Sequence, residues 1–274
     1  LHQPLDFAQL QAAATAVANA YRAAGWVVRA YLPQQDIQNG VVTIQVVESV
    51  FGNLTSDGKL TRIDVARVLA YFETIQVSAQ PLNANALDRA LLLADDLSGV
   101  SVAGTLRPGA AERQTDLLLK LDDEPFASFD TSLDNTGSRS SGGDRLSAGL
   151  HLASPAQRGD LLTSQAIHSQ GSDYLRLAYT TPVGLQGWRV GANGSLFSYK
   201  LIAPEFNMLD ATGYSNSMGL EATYPLQRAR LQNLYLGLIY SHRINHNETA
   251  TGITSHYTIN TLGLNLYGNL FDTL

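Results

Sequence analysis

"DNTGSRSSGGDRLSAGLHLASPAQRGDLL", running from Asp134 to Leu162, decides how the chain is read. A polar, glycine-rich stretch gives way to strict alternation, in which Leu146, Ala148, Leu150 and Leu152 oppose Arg145, Ser147, Gly149 and His151, and a Pro/Gly turn follows. A period of two places apolar residues on one side of a strand and polar ones on the other. No helical pattern lies before or after this stretch to cover either face.

The same grammar recurs in about eight segments after Pro125, as in the alternating strands of an outer-membrane barrel. Ala127, Phe129, Thr131 and Leu133 oppose Ser128, Asp130, Ser132 and Asp134; Leu175, Leu177 and Tyr179 oppose Arg176 and Ala178; Met218, Leu220, Ala222 and Tyr224 oppose Glu221 and Thr223. Val190 and Ala192 against Arg189 and Asn193, and Leu262, Leu264 and Leu266 against Gly263, Asn265 and Tyr267, continue the series, whereas Leu161 to Ser169 alternates poorly. A soluble antiparallel sheet with one wet face would alternate too. The turns favour a membrane barrel: Ser154 to Gly159, Pro182 to Gly187 and Pro225 to Gln232 are short, while Asn135 to Asp144, Ile202 to Asn216 and Asn245 to Ser255 read as longer polar loops.

Composition shifts at the same boundary. Residues 1–124 hold 9 Lys/Arg against 14 Asp/Glu, whereas residues 125–274 hold 16 of the 23 Gly and 9 of the 12 Tyr. Net charge is -6 with only 15% charged residues, which argues against nucleic acid as a partner. There is no cysteine, so disulfides and thiolate metal sites are excluded. No apolar run reaches the length of a membrane helix, and "LHQPLDFAQL" lacks a signal-peptide pattern.

The first part reads as one module and most of another. Asp6 can cap a helix carrying Phe7, Leu10, Ala14, Val17 and Tyr21 on one face, with Gly25 as its stop. "WVVRAYL" (Trp26 to Leu32), a turn with Pro33 and Asn39-Gly40, and "VVTIQVVE" (Val41 to Glu48) predict a hairpin. A second copy follows: a strand near Val50 to Leu54, a helix with Val65, Val68, Leu69 and Phe72, a helix starting at Asn85 and ended by Gly99, then "VSVAGTL" and "TDLLLKL" as strands. The first copy lacks only its opening strand, so the chain is expected to be a fragment.

Two such modules before a barrel resemble the outer-membrane transporters of two-partner secretion, the haemolysin secretion/activation family (TpsB; ShlB/FhaC/HecB type). The residues that carry the resemblance are "RAYLPQQDIQNGVVTIQVVES" (Arg29 to Ser49), "LRPGAAERQTDLLLKLDDEP" (Leu106 to Pro125) and "DNTGSRSSGGDR" (Asp134 to Arg145). It implies α+β POTRA modules, at 1–49 without the first strand and at 50–124, followed by an all-β antiparallel transmembrane barrel at 125–274 with about eight of the family's sixteen strands. It implies a place in the bacterial outer membrane with the modules in the periplasm, contact with outer-membrane lipid, and a monomer. The implied activity is nucleotide-independent secretion through a pore of a partner exoprotein, such as a haemolysin or adhesin, by its strand-forming N-terminal domain. The family's inward-folded late loop is not found here. An assembly or insertion factor, or a small structural or adhesive barrel, are the alternatives.

Site residues follow from strand geometry. Asp130, Asp134, Arg145, Arg176, Arg189 and Glu221 lie on polar strand faces, where they can line a pore or brace its interior. "WVVRAYL" and "VSVAGTL" are candidate edge strands for an added client strand, with Val27, Arg29 and Tyr31 expected to be exposed. No Gly-x-Ser-x-Gly elbow or nucleophile-base pair is present, so no catalytic residue and no cofactor is expected. Asp95-Asp96 and the linker Asp122-Asp123-Glu124 read as solvated charge, and His242, His246 and Glu248 as residues of a strand running into a loop, with no metal expected.

Overall fold

The computed structural model describes residues 6–37, 40–73, 75 and 81–272; Asn39 of the expected turn lies outside them. Helix α1 (Phe7–Ala23) opens with a capping box: the Asp6 carboxylate accepts from the Gln9 N–H at 2.7 Å, and the Gln9 side chain accepts from the Asp6 N–H at 3.0 Å. Gly25, at φ +88, turns the chain where most other residues would be strained. The helix buries Ala14 and Ala18 and half-buries Leu10, Val17 and Tyr21 of the expected stripe, while Phe7 at its start points to solvent.

Strands β1 (Val28–Tyr31) and β2 (Gln45–Glu48) pair antiparallel over four residues. This is shorter than the two apolar runs suggest. The Gln35 side chain takes the place of a strand partner: its carbonyl accepts from the Thr43 N–H and its amide donates to the Thr43 carbonyl. Val41 is left exposed.

The second unit runs β3 (Val50–Asp57), α2 (Val65–Glu73), α3 (Ala84–Asp95), β4 (Val100–Pro108) and β5 (Gln114–Asp123). Its sheet has the order β3-β5-β4, with β3 parallel and β4 antiparallel to β5. Alternate residues Leu117, Leu119 and Leu121 of β5 face Val68, Phe72, Leu93 and Leu97 from the helical side. Each such side chain removed from water contributes about 1.5–3 kcal/mol. The cap of α3 is Asn83, which accepts from the Ala86 N–H, and not the expected Asn85. Asp122 and Asp123 end β5 and are no linker.

After Pro125 come eight strands in sequence order, each antiparallel to the next: β6 (Ala127–Asp134), β7 (Arg145–Ala153), β8 (Leu161–Ser169), β9 (Ser172–Val183), β10 (Trp188–Lys200), β11 (Thr212–Arg228), β12 (Gln232–Thr249) and β13 (Gly252–Leu270). This is the expected class, α+β units followed by an antiparallel barrel sheet. The poorly alternating segment is a regular strand, β8. The long loop expected at 245–255 is not there, because β12 and β13 continue to a two-residue turn at Ala250-Thr251.

Register gives the tilt. From Ala127 at the start of β6, paired residues run through Leu152, Leu162, Tyr179, Ala192, Leu220 and Tyr240 to Leu262, eight positions short of Leu270 at the end of β13. Eight residues of rise over seven inter-strand steps is a slope of about 38°, as a closed barrel requires. The short-turn ends of the strands are therefore level. The other ends climb, because strand length grows from 8 residues in β6 to 19 in β13.

Candidate functional site

The eight-stranded sheet sorts its side chains by face. Register places Phe129, Leu150, Leu175, Leu196, Leu220, Leu238 and Leu264 on one side, all of them more than a third exposed. Water would not leave so large an apolar surface bare, whereas lipid covers it without loss. Trp188 and Tyr224 lie ring to ring at 4.8 Å, tilted by 32°, near the periplasmic border of this band.

Every one of Asp130, Asp134, Arg145, Arg176, Arg189 and Glu221 lies on the opposite face. They form three groups along it. Arg145 donates to Asp134 at 3.0 Å and also to the Thr136 hydroxyl at the outer end. Asp130 and Arg176 flank a shallow depression midway, where His151 Nε2 lies 3.6 Å from Asp130. Arg189 and Glu221 line a cavity of about 380 Å³ at the short-turn end, together with Tyr71, Leu93, Asp96 and Tyr235.

That cavity lies where the second unit docks on the sheet. The Arg228 guanidinium donates to both oxygens of Asp96, at 2.9 and 2.8 Å, and Arg230 to Asp88 at 2.8 Å. Arg189 donates to the Asp96 carbonyl at 2.9 Å, Arg89 to the Pro225 carbonyl at 2.9 Å, and Arg67 to the Arg158 carbonyl at 3.1 Å. Gly187, at φ +95, lets Leu93 and Pro225 close in where a Cβ would collide with both. The turn between β7 and β8 is held by the fully buried Asp160, which accepts from the Ala156 and Arg158 N–H groups. Burial of Tyr71 at this seam lifts its phenol above the ordinary range, with Arg189 and Arg67 opposing.

Asp96 corrects the expectation of solvated charge. Neither it nor Asp95, which accepts from the Val102 N–H at 2.8 Å, is idle. Sequence offered a signal for both: carboxylates at a helix C-terminus oppose its dipole and call for partners. The Asp96 partner, Arg228, stands in a basic turn 132 residues further on, and in the same turn Arg230 meets Asp88 across 142 residues, distances no local pattern bridges.

In the first unit, among the described residues, β1 pairs with β2 alone. Arg29 and Tyr31 are exposed on it, with the guanidinium 5.3 Å from the ring centre. Val27 is not exposed as expected: it is half-buried against the core of the second unit, its N–H donating to the Leu82 carbonyl and its carbonyl accepting from Ser49. β4 is likewise an edge among the described residues, paired to β5 alone. His242, His246 and Glu248 share a face of β12 but are spread along a fully formed strand, and among the described residues no three His, Cys, Asp or Glu side chains gather as a metal cage.

An antiparallel sheet with a lipid face and a polar face, preceded by small α+β units of which the second docks on its short turns, is a barrel protein of the outer membrane with periplasmic POTRA units. The chain belongs to the haemolysin secretion/activation protein family ShlB/FhaC/HecB, whose family model matches residues 113–266; a ShlB-type POTRA domain model matches residues 1–49. Curated relatives are the heme/hemopexin transporter proteins HuxB of Haemophilus influenzae, 25% identical over 248 residues in strain 86-028NP. That alignment takes in 89% of this chain and 43% of the relative, so the chain spans less than half the length of the curated relatives it matches. Among solved structures, CdiB from Escherichia coli superposes with a TM-score of 0.74 at 21% identity, over 98% of this chain and 51% of that one. CdiB from Acinetobacter baumannii gives 0.69 at 17%, over 100% and 52% of the two chains. BamA from Haemophilus ducreyi lacking POTRA domains 1-3 gives 0.52 at 15%, over 99% and 55%.

Proposed function

We propose that the protein to which this chain belongs secretes a partner exoprotein across the outer membrane without a nucleotide. The observation that carries this reading is the sorting of the sheet: polar residues of all eight strands share one face, and the second unit docks at its periplasmic mouth. In this reading residues 1–49 and 50–124 are the client-handling units and 125–274 the part of the barrel that lines the path. Asp130, Asp134, Arg145, Arg176, Arg189 and Glu221 face the passing chain, and no catalytic step is required. Relatives named as heme/hemopexin transporter proteins support transport as the task.

Client capture is assigned to the free side of β1, with Arg29 and Tyr31 exposed and Val27 supporting the strand from beneath. An extended segment pairing there gains main-chain hydrogen bonds. Proline at position 31 removes a donor and disfavours pairing. Tyr31→Pro in the full-length parent should therefore reduce retention of the client's N-terminal domain in a pull-down and leave membrane insertion intact. Undiminished retention would rule out strand addition at β1.

A further inference from the structure

We propose that His246 and His256 form an open site for a divalent transition-metal cation on the outer face of the sheet, just beyond the lipid band. The two residues are direct partners in the β12–β13 ladder, and their Nδ1 atoms face each other at 3.2 Å. Bonds of about 2.0–2.1 Å from both nitrogens to one ion at that separation give an N–metal–N angle of about 100°, between square and tetrahedral values. Two facing Nδ1 atoms can share one proton or one metal ion, since two bare lone pairs would repel.

The surroundings favour the metal. Glu248 Oε2 lies 3.6 Å from the other nitrogen of His246, Nε2. That separation is too long for a hydrogen bond, but the negative charge beside Nε2 favours a proton there and so favours Nδ1 as the lone-pair nitrogen, while the other oxygen of Glu248 accepts from the Thr212 hydroxyl at 3.1 Å. Tyr214 stacks on the His246 ring at 5.1 Å and 19°, which fixes the ring plane. The His246 side chain is 17% exposed, so little freedom is lost on binding. His256 is exposed and supplies the approach, and solvent completes the coordination.

Position fits access from outside. His246 is fourteen residues up β12 from Gln232, which places it about 36 Å along the barrel axis from the periplasmic end, beyond a lipid band about 25 Å tall. The pairing escapes a linear reading because its two halves come from different strands, while His242 bonds instead to Asn260 at 2.8 Å.

The test is copper titration of the untagged full chain in detergent micelles, followed by electron paramagnetic resonance. One Cu²⁺ with two coupled nitrogens is expected in the wild type. His246→Ala and His256→Asn should each weaken uptake at least about tenfold, and Glu248→Gln, which removes a charge and no hydrogen bond to His246, should weaken it by less than either. His168→Ala, whose ring is engaged by Asp173 on a distant strand, should leave uptake unchanged. The exposed His256→Asn change keeps a polar side chain, and circular dichroism verifies that the sheet is intact. No copper bound by the wild type, or uptake by both histidine variants undiminished from the wild-type level, would overturn the proposal.

Discussion

Thr61 donates its hydroxyl to Asp123 at 2.6 Å and its backbone N–H to the same carboxylate at 2.9 Å, tying the β3–α2 loop to the end of β5. The hydroxyl bond, more than any charge, holds the Asp123 carboxyl below the usual carboxylate range. A depressed native value means that the unfolded chain binds the proton more readily, so the tie is complete above about pH 4 and is lost as pH falls through the folded value. Acid titration of the wild type should therefore loosen the second unit below about pH 4, and Thr61→Val should make its stability less dependent on pH over that window. A Thr61→Val profile parallel to the wild type would show that the bond carries nothing. The residue scale is also where the sequence was least legible. The side chains of Asp123, Asp96 and Asp95 look alike as a string of letters, and only partners 62, 132 and 7 positions away distinguish their work.

Among the elements, strands past Pro125 were the most legible, because alternation survives in all but one of them. β8 was obscured because both of its faces mix sizes and polarities, yet its register with β7 and β9 is continuous. The outer ends of β12 and β13 were missed for a related reason: outside lipid both faces are polar, so the pattern fades while the hydrogen-bond ladder continues. Sidedness can be tested directly. Leu220, 59% exposed on the lipid face, and Ser217, on the opposite face beside Ser195 at 2.7 Å, lie three positions apart on β11. Leu220→Arg should cost about 2–4 kcal/mol in folding into lipid vesicles, read from urea titration, whereas Ser217→Arg should cost far less. Equal costs would contradict the assignment of faces.

At the scale of the whole molecule, the second unit is fastened to the barrel turns by side chains from both of its helices. Asp96 and Arg228 are the strongest point, a two-pronged pair with Arg228 only 16% exposed and Asp96 37% exposed. A double-mutant cycle with Asp96→Asn and Arg228→Ala should give a coupling of about 1 kcal/mol, discounted for the solvent that reaches the carboxylate. Limited proteolysis near the Pro125 connection should quicken in both single variants. Additivity of the two changes would mean that shape, through Leu93, Gly187 and Pro225, holds the units together without the charges. That seam was not legible in either part of the sequence alone, since each half of it looks like an ordinary surface.

Strand lengths set one more property. With the periplasmic ends level, 8 residues in β6 and 19 in β13 put the outer rim about 20 Å above the periplasmic end on one side and nearly 50 Å on the other. The wall is a ramp, shorter than the bilayer's hydrocarbon at its low end and well clear of it at the high end. On the secretion reading proposed above, a chain leaving along these eight strands would follow a rim of extended backbone that rises steadily from β6 to β13.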